Sequence, residues 1–326
     1  MKAAVIEKQG GIENIVFRDF PDPEIRPGDI KVRVRACGLN YFDVFVRRGM
    51  PGFPVKMPHI SGGDIAGEVA GFGADVKGWK VGQRVLVDPL TNEGMMGEEI
   101  QGGMAQYCRV PHQFVIKLDK RLSFEQAAAI PANYGTTFRM LFTNGKIKKD
   151  DLILVLGASG GVGTATVQVA KHYGARVIAC AGTDDKCRRL KEIGADYTIN
   201  YATQDFSREA WILSGKKGVD VVVNFTGGET WAPSLRTLKH HGKLLTCGAT
   251  AGFDPKTDIR YIWHRELRVI GSNGYTKSDV TKGMKGVAEG KLKIPEIKTM
   301  PLEKLGEAEA LMEARDFFGK IVMLVP

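Results

Sequence analysis

The stretch Asp151-Leu-Ile-Leu-Val-Leu-Gly157-Ala-Ser-Gly160-Gly161-Val-Gly163 decides the fold of this chain. Its apolar half predicts a buried strand, its glycine-rich half predicts a tight turn, and a helix is predicted over Thr164–Tyr173. Glycines let the backbone approach a pyrophosphate at a helix N-terminus. The stretch therefore predicts a phosphate-binding turn, although Gly157-Ala-Ser159-Gly-Gly161 also fits the G-x-S-x-G elbow of serine hydrolases.

Length and composition indicate a globular protein with room for two domains. The chain has 326 residues, 43% hydrophobic and 25% charged, and no apolar run approaches the roughly 20 residues that a membrane span needs. The opening residues predict a strand and not a secretory signal, so we expect a cytoplasmic protein with no membrane partner. Five scattered cysteines form no C-x-x-C pair, which indicates neither a disulfide framework nor a structural zinc knuckle.

The net charge of +9 suits an anionic cofactor or a solvated basic surface, and the lack of interleaved aromatics argues against nucleic acid.

Residues 1–122 are predicted to form a β-rich domain, a partly open barrel. Short alternating runs such as Ile30–Ala36 and Arg84–Val87 are separated by glycine and proline turns. The segment Thr91–Gly103 is expected to be a long loop, either a lid or a surface excursion. A helix start follows at Ser123, with Gln126 in the capping-box position.

From residue 123 to residue 272 strands alternate with helices, which predicts a doubly wound parallel sheet covered on both faces. The candidate strands are Leu152–Leu156, Val177–Ala181, Tyr197–Ile199, Val219–Phe225, Lys243–Cys247 and Arg268–Gly271. The tail, residues 273–326, ends in the apolar run Lys320–Pro326. We expect this tail to return to the first domain.

The glycine-rich turn has two chemical interpretations, a cofactor site and a nucleophile. A hydrolase elbow lies well inside a sheet, whereas this turn follows the first strand of its sheet, after a β-rich domain. The crowding of glycines also favours a diphosphate over a strained serine. His240, His241 and His264 follow Ser159 in the chain, so a catalytic triad stays open as the minor alternative.

The end of the second candidate strand predicts which dinucleotide binds. Folds that prefer NAD carry an acidic residue there, about 20 residues past the glycines, to bind the ribose hydroxyls. This chain has Ala181 in that position, so no carboxylate repels a 2′-phosphate, and Lys186 can supply a positive charge. Asp184 and Asp185 count against this, unless they serve only the first turn of the next helix. The pattern favours NADPH.

Several motifs together resemble the medium-chain dehydrogenase/reductase superfamily, in its zinc-free quinone oxidoreductase-like branch. The resemblance covers essentially the whole chain and rests on the glycine-rich turn and on Gly38-Leu-Asn-Tyr-Phe-Asp43, Gly62-Gly-Asp-Ile-Ala-Gly67, Gly82-Gln-Arg-Val85, Gly194-Ala-Asp and Asn200-Tyr201. It implies an α/β protein with a GroES-like catalytic domain over 1–122, to which 273–326 returns. It implies a Rossmann NADP-binding domain over 123–272.

The same resemblance implies that no metal is bound. The positions at which zinc-dependent members carry catalytic ligands fall on Asn40, Gly63 and Ala132, and the segment Pro89–Gly103 lacks the cysteines of a structural zinc lobe. A tetrahedral zinc site needs three or four protein ligands. The set Cys37, His59 and Asp64 is conceivable, but its spacing gives it no support.

The resemblance assigns roles to residues that match its motifs. Asn40 is expected to be the polar contact beside the nicotinamide, with a turn-forming role as the alternative. Tyr41 can donate a proton or pack, Asp64 organises the active site, and Asn133 contacts substrate. The residues expected to bind cofactor are Thr136, Ser159, Gly160, Gly161, Val162, Gly182, Lys186, Tyr201, Gly248, Ala249 and Asn273.

These expectations combine into an NADPH-dependent reductase of quinones or α,β-unsaturated carbonyls, with its active site in the cleft between the domains. An enoyl-thioester reductase is the alternative within enzymes, because an acidic substrate suits the net charge and Arg47 and Arg48. A protein that binds NADPH or associates with RNA, with little turnover, is the alternative from another class. The family usually forms dimers through the nucleotide domain, so a homodimer is expected.

Overall fold

The structure, a computed structural model, describes residues 1–294 and 296–326. Its strands are, in chain order, β1 (Lys2–Ile6), β2 (Ile15–Asp19), β3 (Asp29–Gly38), β4 (Asp64–Phe72), β5 (Arg84–Val87), β6 (Leu90–Thr91), β7 (Gly94–Met95), β8 (Tyr107–Pro111), β9 (Val115–Lys117), β10 (Leu152–Val155), β11 (Arg176–Ala181), β12 (Tyr197–Asn200), β13 (Val219–Val223), β14 (Leu238–Thr246), β15 (Arg268–Gly271), β16 (Ile297–Pro301) and β17 (Lys320–Leu324).

The α-helices are α1 (Tyr41–Arg48), α2 (Phe124–Ala128), α3 (Thr136–Phe138), α4 (Gly161–His172), α5 (Asp184–Glu192), α6 (Phe206–Leu213), α7 (Trp231–Thr237), α8 (Ile259–His264), α9 (Lys277–Ala288) and α10 (Leu305–Glu313). Two π-helical turns, Pro131–Gly135 and Arg139–Asn144, flank α3. None of the helices in the described residues is long and apolar enough to cross a membrane.

The chain divides into two compact units. Unit 1 comprises Met1–Ala132, Thr276–Ala288 and Glu296–Pro326, and unit 2 comprises Asn133–Tyr275 and a short segment that begins at Glu289. The change of unit falls ten residues after the predicted boundary at 122/123, because α2 packs on β3 and β4 of unit 1. The capping box predicted for α2 is present, since Ser123 Oγ accepts from the backbone N–H of Gln126 and Gln126 Oε1 accepts from that of Ser123.

Unit 1 contains a seven-stranded sheet in the order β16-β17-β3-β4-β5-β9, with β8 also paired to β3. The central strand β3 is antiparallel to both of its long neighbours, so Gly38 lies opposite Asp64 on β4 and opposite Val322 on β17. The core beneath this sheet is aliphatic and includes Val32, Ile65 and Ile321. The register brings the start of the last strand beside the end of β3.

Unit 2 contains a six-stranded sheet in the order β12-β11-β10-β13-β14-β15, and every neighbouring pair is parallel. The four residues of β10 are all buried, as expected of a parallel strand covered on both faces. The chain leaves β10 toward β11 on one side and later returns to β13 on the other, so a switch point lies between β10 and β13. Ligands of open parallel sheets bind outside the carboxyl ends of strands at such a point.

Most predicted elements are confirmed, with differences in detail. The predicted strand Val219–Phe225 ends at Val223, and the predicted helix Thr164–Tyr173 begins earlier, at Gly161. The prediction of Thr91–Gly103 as a plain loop is wrong in part, because a short hairpin of β6 and β7 forms there.

Candidate functional site

The glycines of the turn after β10 serve different purposes. Gly157 has φ +64°, a left-handed conformation that L side chains rarely adopt. Gly163 packs on the turn, since a Cβ there would lie 2.6 Å from Ala158 Cα. At Gly160, the N-cap of α4, a Cβ would have only Gly157 O within 4 Å, at 3.8 Å. Gly160 is therefore the glycine whose α-carbon faces open space, as a cradle for a phosphate requires.

Asn133 lies against this turn. A Cβ on Gly161 would collide with the Asn133 amide, with Cγ at 2.8 Å and Nδ2 at 2.9 Å. Asn133 itself is 4% exposed. The structure thus packs Asn133, which was expected to contact substrate, against Gly161, the first residue of α4. Gly161 is required by this packing within the protein.

The residues expected to bind a 2′-phosphate lie near the end of β11. Ala181 is fully buried, and the Tyr201 ring lies over Gly182, whose Cβ would be 3.2 Å from the Tyr201 hydroxyl oxygen. Lys186 lies in the first turn of α5, where its backbone N–H donates to Thr183 Oγ1 at 3.2 Å. The structure brings Gly182 and Tyr201 together although they are far apart in sequence.

The two acidic residues that counted against NADPH have structural partners. Asp184 Oδ1 accepts a hydrogen bond from Asn200 Nδ2 at 2.7 Å. Asp185 pairs with Arg188 at 2.6 Å on the exposed face of α5. Both lie in the first turn of α5, where carboxylates are favoured by the helix dipole. Both carboxylates therefore have roles within the protein that do not involve binding the ribose of a cofactor.

The remaining cofactor candidates lie after two strands of the parallel sheet and at the start of a helix. Gly248 and Ala249 follow β14 and Asn273 follows β15, while Thr136 begins α3. All eleven cofactor candidates keep some exposure. Sequence reasoning missed the turn after β13, where the Phe225 ring would lie 3.2 Å from a Cβ on Gly157. Reading β13 two residues too long hid this contact.

Unit 1 holds a separate polar cluster built around Asp64, which is 1% exposed. Its Oδ1 accepts from the Ala132 N–H at 2.9 Å. Its Oδ2 accepts from Lys320 Nζ at 2.7 Å and from Asn40 Nδ2 at 3.0 Å. Lys320 Nζ also donates to Asn40 Oδ1 at 2.6 Å. Lys320 was missed, since only the sheet register brings it to Asp64.

Asn40 and Tyr41 mark the start of α1. The backbone N–H of Asn40 donates to Asp43 Oδ2 at 2.7 Å, so the turn-forming role of Asn40 is present together with its place in the cluster. Asp43 Oδ1 accepts from Gly62 N–H at 2.8 Å, and burial raises the pKa of Asp43 to about 7. The half-buried Tyr41 ring packs edge-on against Phe45, with centroids 5.1 Å apart.

The residues at the implied zinc position do not fit a metal. A cation, the Lys320 ammonium, already lies between the Asn40 and Asp64 oxygens, and Gly63 and Ala132 have no donor side chain. Within residues 1–294 and 296–326 there is no group of three or more His, Cys, Asp or Glu placed to hold a metal ion. The alternative set Cys37, His59 and Asp64 is no better, since these side chains are not placed together as ligands either.

Two further expectations fail on the geometry. Ser159 follows the carboxyl end of β10, whereas His240 and His241 precede Lys243, which pairs with Val221 of β13, and so they lie toward the other end of the sheet. His264 packs on His240, with ring centroids 6.2 Å apart, so these histidines form no triad with Ser159.

Arg47, which was expected to suit an acidic substrate, is not at the surface. It is 2% exposed, and its guanidinium donates to Glu309 at 2.5 Å and to Glu313 at 2.7 Å.

Comparisons with known proteins agree with this architecture. The family described as "Alcohol dehydrogenase GroES-like domain" matches residues 26–120, and the family "Zinc-binding dehydrogenase" matches residues 161–289. The 2-haloacrylate reductase of Burkholderia sp is 32% identical over 99% of this chain and 98% of its own length. The human quinone oxidoreductase is 28% identical over 100% and 98%.

A solved structure described as an NAD-dependent alcohol dehydrogenase matches with a TM-score of 0.94 and 35% identity, and the match covers 100% of both chains. The predicted combination of a GroES-like β-rich domain and a Rossmann-like nucleotide domain is confirmed. The whole-length matches show that this chain belongs to the medium-chain dehydrogenase/reductase superfamily, as a quinone oxidoreductase-like oxidoreductase.

Proposed function

We propose that this protein is an NADPH-dependent reductase that delivers hydride to quinones or α,β-unsaturated carbonyls without a catalytic zinc. The observation that carries the proposal is the end of β11, where a buried alanine replaces the acidic residue and Tyr201 covers Gly182. A carboxylate in that position would repel a 2′-phosphate, whereas an aromatic hydroxyl and Lys186 can bind it.

The proposed nucleotide site uses residues of unit 2. The N–H groups at the start of α4 would bind the pyrophosphate, with Gly160 leaving room for its approach. Ser159, Gly161 and Val162 complete this turn. Thr136, Gly248, Ala249 and Asn273 are proposed to contact the rest of the cofactor. Asn133, given its position on Gly161, is proposed to support the turn instead of contacting substrate.

NADPH, when bound, supplies the hydride. The protein must then stabilise the negative charge that develops on the carbonyl oxygen of the acceptor, and this requires a donor fixed in advance. Asn40 is the proposed donor, because one N–H of its amide is held by Asp64 and the other is not engaged by any described residue. Tyr41 is proposed to shape the adjoining surface, and Asp64 to orient Asn40.

Lys320 supports the zinc-independent part of the proposal. Its ammonium donates to both oxygens that a metal would need, at 2.6 and 2.7 Å. Oxidation of an alcohol passes through an alkoxide that a Lewis acid stabilises, whereas reduction of a conjugated acceptor needs only a donor for the carbonyl oxygen. Conjugated acceptors therefore suit this cluster better. The name 2-haloacrylate reductase describes chemistry of this class in a relative.

The test measures NADPH oxidation with quinones, alkenals and crotonyl-CoA, together with the metal content of the same preparation. Because one relative is described as an NAD-dependent alcohol dehydrogenase, the panel also includes NADH and alcohol oxidation with NAD. Turnover of quinones or alkenals with NADPH, at much less than one zinc per chain, is expected. Stoichiometric zinc needed for activity, or a strong preference for NADH, would contradict the proposal.

Two alternatives remain within the same experiment. Turnover of crotonyl-CoA alone would favour an enoyl-thioester reductase, although Arg47 no longer supports it and Arg48 pairs with Glu313 at 2.5 Å. NADPH binding without turnover of any acceptor would favour the binding protein, and RNA retention at moderate salt would be its further sign.

A homodimer is proposed through the outer edge of unit 2. Strand β15 is the last in its sheet, and Val269 on it is 41% exposed. An unpaired edge with apolar side chains is a template for pairing with a second copy. Light scattering checks this, with a dimer expected for the native chain and a monomer for Val269→Lys. The cytoplasmic location also stays a prediction.

A further inference from the structure

The cluster of Asn40, Asp64 and Lys320 is held together by strand register. Gly38 pairs with Asp64 and with Val322, so the neighbouring strands bring Asp64 and Lys320 to the end of β3. Gly38 must be glycine there, since a Cβ would collide with the backbone carbonyl oxygen of Ala128 and would also lie 2.8 Å from Lys320 Cε. Because Gly38 has no side chain, there is room for the Lys320 side chain to pass over it.

The three side chains differ in exposure. Asp64 is 1% exposed and Lys320 is 2% exposed, whereas Asn40 is half-buried. An ion pair at this depth is costly to form, because both ions lose their water. Among the three, Asn40 is therefore the side chain through which the pair can act on a ligand.

The hydrogen bonds define the orientation of the Asn40 amide. An ammonium only donates and a carboxylate only accepts, so Oδ1 must face Lys320 and Nδ2 must face Asp64. A positive charge on Oδ1 draws electron density from the amide nitrogen and strengthens its remaining N–H as a donor. Asp64 and Lys320 therefore favour the same orientation of the amide, and Lys320 is the residue that places a positive charge on its oxygen.

We propose that Lys320 is a positioning residue that orients and polarises the Asn40 amide, in the place where zinc-dependent members of the superfamily use a metal. This rests on the proposed function. Hydride adds to the β-carbon of the enone, and the electron pair of the C=C bond moves through the conjugated system onto the carbonyl oxygen. The Asn40 N–H stabilises that oxygen, and a proton from solvent then reaches the α-carbon. In total, NADPH, the enone and one proton are converted to NADP⁺ and the saturated carbonyl compound.

The test is a double-mutant cycle of Lys320→Met and Asn40→Ala with the enone or quinone that the native chain reduces best. Asn40→Ala is expected to lower kcat about 100-fold or more, as loss of an oxyanion donor does. Lys320→Met is expected to lower kcat on the order of 10- to 100-fold, as loss of a charge-assisted hydrogen bond does. In the Asn40→Ala background Lys320→Met should have almost no further effect, because it acts through Asn40.

Further variants separate positioning from stability. Lys320→Met leaves Asp64 buried without its partner, so the cycle is repeated with Lys320→Met/Asp64→Asn, which removes both charges. Lys320→Arg should recover most of kcat. NADPH affinity and the KM of the acceptor should change little, and the isotope effect on the transferred hydrogen should rise. The control is Lys171→Met, which breaks another Lys–Asp ion pair, the one between Lys171 and Asp196 at 2.7 Å. Lys171 lies in the last turn of α4, away from the glycine-rich turn, so this variant should leave kcat and the isotope effect unchanged.

The outcomes distinguish this inference from the proposed function. Multiplicative losses in the cycle, or a full kcat for a folded Lys320→Met/Asp64→Asn, would overturn the role of Lys320 while leaving the reductase in place. A native chain that reduces no acceptor in the panel would overturn the proposed function and the role of Lys320 with it.

Discussion

Gly160 and Gly161 are adjacent in the turn, and the structure predicts opposite consequences for Gly→Ala at the two positions. At Gly161 the new Cβ would meet the Asn133 amide, whose Cγ would be 2.8 Å away, and Asn133 is too buried to swing aside. At Gly160 the nearest atom would be Gly157 O at 3.8 Å, an ordinary contact. Gly161→Ala should therefore lower the stability of the fold, whereas Gly160→Ala should weaken binding of the cofactor.

The magnitudes follow from packing. Gly161→Ala is expected to lower the free energy of unfolding by about 1–3 kcal/mol, the usual cost of overpacking. In the background of Asn133→Ala the same change should be neutral or stabilising by about 0.5–1 kcal/mol, because alanine suits a helix better than glycine. Gly160→Ala should change the free energy of unfolding by less than about 1 kcal/mol, and weaken NADPH binding by about tenfold or more, or about 1.4 kcal/mol.

Urea unfolding and NADPH fluorescence titration on the four variants provide the assay. The reasoning is refuted if Asn133→Ala fails to relieve Gly161→Ala, since Asn133 is the contact that creates the cost. It is refuted equally if Gly160→Ala destabilises as much as Gly161→Ala while binding NADPH normally.

The other predictions concern charged residues. Lys186→Glu is expected to weaken NADPH binding by about 10- to 100-fold while NADH binding changes little, and equal losses by titration calorimetry would contradict its proposed place at the 2′-phosphate. Burial raises the pKa of Asp43 from 3.8 to about 7, so the folded chain holds a proton that the unfolded chain has lost between those values. Stability should therefore fall as the pH rises through that window, and urea unfolding at about pH 5 and about pH 8 should show the fall in the native chain and not in Asp43→Asn. Arg47→Met should cost about 3–5 kcal/mol because Glu309 stays buried without its partner. Arg47→Met/Glu309→Met should recover most of that loss in thermal unfolding, and a single variant as stable as the native chain would be the contrary result.

Local signals in the sequence were sufficient for the elements and for the nucleotide-binding turn. The glycine run predicted the turn and the start of α4 to within three residues, and Ser123 with Gln126 predicted the capping box of α2. The alternation of strands and helices predicted the parallel sheet of unit 2. These signals are readable because they depend on the backbone conformation of a few neighbouring residues.

The tertiary structure alone decided which distant side chains meet. The contacts of Lys320 with Asn40 and Asp64 depend on the antiparallel register of β17, β3 and β4, and a shift of one residue would point Lys320 to the other face. The burial of Arg47 beside Glu309 and the contact of Asn133 with Gly161 likewise depend on packing between elements. The sequence by itself determined that a dinucleotide-binding fold forms and that zinc ligands are missing at Asn40, Gly63 and Ala132. Only the folded chain, by setting the strand register, brought a lysine ammonium to that position.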